Sequence, residues 1–68
     1  MVNTRLLRGK IEEKGTSISE VAAQMGVDKA TLYRRIQNSE TFTIGEVGKI
    51  TEILSLTKDE AVSIFFNQ

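Results

Sequence analysis

An all-α fold of five short helices is what this sequence predicts, and three observations predict it. Helix-start signatures of the form Ser/Thr-x-x-Glu occur at Ser17 to Glu20, Thr43 to Glu46 and Thr57 to Glu60. In each, the hydroxyl can accept from the amide three residues on while the carboxylate reaches back to the cap amide. Apolar residues recur at helical spacing, most plainly at Ile44, Val47, Ile50, Ile53 and Leu54. No stretch alternates in the two-residue period of a strand, and there is no proline to interrupt a helix.

The first helix is expected over 4–14, capped by Asn3, with Leu7 and Ile11 as an i, i+4 apolar pair, Leu6 beside them and Val2 just ahead. Gly9 inside it costs ~1 kcal/mol relative to Ala, so either packing compensates or a neighbouring backbone passes close. Arg5, Arg8 and Lys10 spread around this helix and read first as solvated cations. Gly15 is a natural stop. The second helix, 18–25, starts on Ser17 and turns Val21, Ala22 and Met25 to one apolar face. Gly26 ends it, where a left-handed residue suits a side chain without Cβ. Asp28 is the expected cap of a third helix over 29–38, with Val27 stapled to Leu32 and an inward face of Leu32 and Ile36. Small Ala22 allows that helix to cross closely. After the polar connection from Asn38 to Thr41, Phe42 can staple to Val47 at the start of a fourth helix, 44–54, where Gly45 and Gly48 permit a close approach. Leu56 and Ala61 staple the fifth, 58–66, which carries Val62, Ile64, Phe65 and Phe66.

Composition narrows the function. Sixty-eight residues make one domain, and 40% apolar content supports a small core with a stability of about 3–5 kcal/mol. Without cysteine or histidine there is no disulfide framework, no thiolate metal site and no imidazole base. Neither a nucleophile–base pair nor a metal-ligand cluster is visible, so the expectation is a non-enzyme without cofactor. Apolar runs fall far short of the ~20 residues that cross a bilayer, and Val2, Leu6 and Leu7 are too scattered for a signal peptide. The expected location is the cytoplasm, away from membranes. Net charge is zero but divided: residues 1–38 hold seven basic against four acidic side chains, or +3, and residues 39–68 two against five, or −3. A polyanion responds to the local field, so the positive half is the one to examine.

That half contains the stretch ISEVAAQMGVDKATLYRRIQN, residues 18–38, two helices hinged at Gly26. With Leu32 and Ile36 inward, a 100° step per residue puts Ala30, Arg34 and Gln37 outward, Thr31 and Tyr33 on the flanks, and Lys29 at the leading turn. Such a face can read bases: Arg34 by a fork to guanine, Gln37 by an amide to adenine, Ala30 and Thr31 by methyl contact to thymine. Lys29 and Tyr33 can reach bases, phosphate or sugar. The competing reading is an ordinary solvated helix surface. Arg35, nearer the inward edge, is expected to snorkel or to pair with Glu40 or Glu20. Amides opening the second helix (Ser17 to Ser19) and the fourth (Thr43 to Gly45) can clamp flanking phosphates, helped by Ser17, Ser19, Asn38, Ser39, Thr41 and Thr43.

The order of elements resembles the λ repressor/Cro class of small phage and bacterial DNA-binding domains. ISEVAAQMGVDKATLYRRI is similar to that class at Ala22, Gly26 and the apolar positions Val21, Met25, Val27 and Leu32. The tail FTIGEVGKITEILSLTKDEAVSIFF resembles the last two helices of short Cro-type regulators from phages of Gram-positive bacteria. The resemblance implies a five-helix λ repressor-like domain with a helix-turn-helix at its second and third helices. It also implies that Lys29, Ala30, Thr31, Tyr33 and Arg34 face DNA. Two positions depart from the class: Ile18 stands where glutamine often binds phosphate, and Arg35 where an apolar residue is usual. The expected function is a transcriptional regulator, a Cro-type repressor, acting as a homodimer on a double-stranded operator, with Val62, Phe65 and Phe66 as dimer candidates. The alternative is a protein-interaction module, an antirepressor or modulator, that binds another phage regulator through the same face.

Overall fold

The computed structural model describes residues 2–38 and 42–66, and among these there are five helices and no strand. They are α1 (Thr4–Glu13), α2 (Ile18–Met25), α3 (Lys29–Gln37), α4 (Ile44–Ile53) and α5 (Lys58–Phe65). Each expected helix is present, with its end within a residue of expectation. Local chemistry accounts for the starts. Asn3 Oδ1 accepts from the Leu6 amide at 3.1 Å, and Ser17 Oγ from the Glu20 amide at 3.1 Å. Thr43 with Glu46 and Thr57 with Glu60 form complete capping boxes, in which each carboxylate accepts from its cap amide at 2.8 Å. Asp28 departs from expectation. It holds the cap position in extended backbone, yet its side chain makes no cap hydrogen bond.

Three of the five helix ends share one geometry. Gly15 and Gly26 take left-handed backbone (φ 73° and 76°), and Ser55 does so too (φ 51°). After each, an amide reaches back five residues along the chain: Thr16 to the Ile11 carbonyl, Val27 to Ala22, and Leu56 to Thr51. These are Schellman closures, which satisfy carbonyls left over at a helix end. The next residue in every case is the cap of the following helix (Ser17, Asp28, Thr57). The corners α1–α2, α2–α3 and α4–α5 therefore run along the same local path.

A single apolar cluster fills the interior. Leu7 and Ile11 come from α1, Val21, Ala22 and Met25 from α2, Leu32 and Ile36 from α3, Ile50 and Leu54 from α4 and its end, and Leu56, Ile64 and Phe65 from the α5 side, with Val2 closing one edge. Helix α2 packs on α3 and α4, while α5 packs on α1 and α4. The Asn3 amide donates to the Ile64 carbonyl at 2.7 Å and ties the start of the chain to α5. Among the described residues no polar side chain is fully buried, so ion pairs lie at the rim. The expected close approach at Gly9 and Gly48 is absent: a Cβ placed on either meets nothing within 4 Å. No described helix is long and apolar enough to cross a membrane.

Candidate nucleic-acid interface

Helix α3 buries two of its nine side chains and exposes five. Leu32 and Ile36 are each 1% exposed, whereas Lys29, Ala30, Tyr33, Arg34 and Gln37 are exposed and Thr31 is half-buried. The helical wheel places Ala30, Arg34 and Gln37 together on the outward side, with Tyr33 and Thr31 at its two edges. Of the six side chains expected to read bases, five are exposed on α3 and Thr31 is half-buried.

Arg35 is withdrawn from that surface, by a partner different from those expected. Its guanidinium forks onto Glu46 of α4, with Nη1 to Oε2 at 2.7 Å and Nη2 to Oε1 at 2.8 Å, and lies 4.5 Å from the centre of the Phe42 ring. Glu46, not Glu20, receives it; Glu40 lies outside the described residues. The Arg35 fork first, and the Thr43 amide second, hold the Glu46 carboxyl down to about 2. Phe42 in turn meets Phe65 edge-on, ring centres 5.8 Å apart. The end of α3 is thereby fastened to the start of α4.

Two of the expected phosphate ligands, Ser39 and Thr41, lie outside the described residues. Ser17, Ser19, Asn38 and Thr43 are all exposed. The two helix starts differ in how their first-turn glutamate is used. At α4 the Glu46 carboxylate already sits on the Thr43 amide, so an anion there would meet an occupied donor. At α2 the Glu20 carboxylate does not close the box, and the opening amides of Ile18 and Ser19 have no acceptor within their own helix.

Arg8 is the residue that sequence reasoning left among solvated cations. Its guanidinium carbon stands 5.7 Å from the centre of the Tyr33 ring, which brings α1 to the edge of the α3 surface. Nothing in the spacing of two residues on separate helices signals this pairing. Lys10, on the same helix, is committed elsewhere: it bonds Glu60 of α5 and Glu13. Of the three dimer candidates, Phe65 is 6% exposed and belongs to the core against Phe42, which corrects its assignment to an interface. Val62 on α5 and Phe66 at its C-cap remain 46% and 54% exposed. No cluster of His, Cys, Asp or Glu among the described residues is arranged to hold a metal ion. The chain matches no protein-family model, no curated protein and no solved structure.

Proposed function

We propose that this chain is a sequence-specific DNA-binding regulator of transcription, a Cro-type repressor in which α2 and α3 act as a helix-turn-helix and α3 enters the major groove. One observation carries the reading: the core takes only Leu32 and Ile36 firmly from α3, and leaves Ala30, Arg34 and Gln37 on a common outer side. Those side chains match the donor, acceptor and methyl pattern of base edges. The excess of basic residues in the first 38 positions adds a favourable field, and the resemblance of residues 18–36 to the λ repressor/Cro class points the same way.

Selection of duplexes from a random-sequence pool, followed by fluorescence anisotropy at low and high salt, tests the proposal. Binding should weaken as salt rises. Arg34→Ala should cost about 1–3 kcal/mol on the selected duplex and relax the preference at one base pair. Failure to enrich any duplex, with no salt-dependent affinity, would reject the reading. A second reading, in which the same face binds another phage regulator, is favoured by the zero net charge and by the 46% exposure of the Tyr33 ring on that face. A stable complex with a partner repressor in the absence of DNA affinity would select it.

A further inference from the structure

The cations of α1 are used unequally. Lys10 is only 16% exposed at its side chain and is shared between Glu60 and Glu13. Arg8 is exposed and lies over the ring of Tyr33, itself 46% exposed at the edge of the α3 surface. Arg8 also lines a shallow groove between α1 and the start of α2, together with Ile11, Glu12, Thr16 and Ile18.

We propose that Arg8 is a DNA phosphate ligand supplied by α1 and held at the margin of the α3 surface by the Tyr33 ring. The inference rests on the DNA reading of α3 and names a contact which that reading does not include. A guanidinium beside an aromatic ring spends none of its N–H donors on carboxylate, so a phosphate can take two of them. Being held, it loses less rotamer freedom on binding than an unsupported arginine does. Its place follows from the wheel: Tyr33 lies about 100° around α3 from Arg34, so a group beyond Tyr33 meets the strand bordering the groove, not the base edges within it. Glu12, which lines the same groove, opposes an anion within it.

The test measures the salt dependence of affinity, by anisotropy with a labelled mixed-sequence duplex and with the tightest selected duplex. Arg8→Ala should weaken both duplexes by a similar factor and flatten the slope of log affinity against log salt by about one. Glu12→Gln should tighten both. In a Tyr33→Phe background, which keeps the ring, Arg8→Ala should have its full effect. In a Tyr33→Leu background it should lose most of it. Circular dichroism on each variant separates these effects from unfolding. If the wild type binds no duplex, the reading of α3 fails and this contact with it. If the wild type binds but Arg8→Ala leaves the slope unchanged, or discriminates between the two duplexes, the Arg8 contact alone is overturned. An equal effect of Arg8→Ala in the Phe and Leu backgrounds would remove Tyr33 from the proposal.

Discussion

Glu46 and Glu60 each do two things with one carboxylate. Glu46 accepts the Thr43 amide and the Arg35 fork; Glu60 accepts the Thr57 amide and Lys10. The capping half of each role was legible from the Thr-x-x-Glu spacing. The interhelical half was not, because a partner on another helix leaves no mark in local sequence. These partners hold both carboxyls at about 2, against an ordinary value of 4.5: Arg35 is the main cause for Glu46, Lys10 for Glu60. Groups lowered on folding stabilise the fold above their unfolded value, and that contribution disappears as pH falls through the folded one. Urea midpoints should therefore decline between about pH 4.5 and 2 as these two carboxylates take up protons. Glu46→Gln should already be less stable at pH 7 and should show a shallower decline below it. Equal acid sensitivity of wild type and variant would contradict a role for this carboxylate.

At the scale of the helix, most of the fold could be read in advance, since caps, staples and apolar spacing are encoded within a few residues of where they act. The exceptions have physical reasons. Asp28 was expected to cap α3 by residue type alone, but its side chain makes no such bond. Ser55 has no glycine to advertise a left-handed turn, yet it closes α4 as Gly15 and Gly26 close α1 and α2. Two substitutions follow. Gly9→Ala adds a methyl into open space within a helix, and should stabilise by about 0.5–1 kcal/mol. Ser55→Gly relieves a positive φ and should be neutral or stabilising by up to about 1 kcal/mol. Thermal melts resolve both, because 1 kcal/mol shifts Tm by about 4–8 °C in a domain of this size. A loss of stability for Gly9→Ala would mean that something does approach that helix face.

For the whole molecule, charge and size set what one copy can do. Its longest principal axis is 27 Å, short of the ~34 Å between successive major-groove half-sites, so on the proposed reading one copy would address one half-site. A homodimer is accordingly part of the proposed function. After the removal of Phe65 to the core, Val62 and Phe66 are the apolar pair left for it. Sedimentation with the selected duplex should give two chains per duplex, and Val62→Lys should reduce this to one while leaving the helical signal intact. Two chains per duplex with the variant would move the interface elsewhere. The outward side of α3 could be traced from Leu32 and Ile36, but the arrival of Arg8 could not, because it depends on how α1 lies over the bundle.

The recurrent corner has a consequence for how this protein can be taken apart. Three different triplets, Gly15-Thr16-Ser17, Gly26-Val27-Asp28 and Ser55-Leu56-Thr57, trace a common backbone course. They should be partly interchangeable: grafting Gly-Val-Asp in place of residues 55–57 ought to preserve the bend and forfeit the Thr57 hydroxyl and one methylene of the buried Leu56. The hinge at Gly26 is thus generic joinery, and whatever singles out the helix after it must reside in the side chains that helix displays.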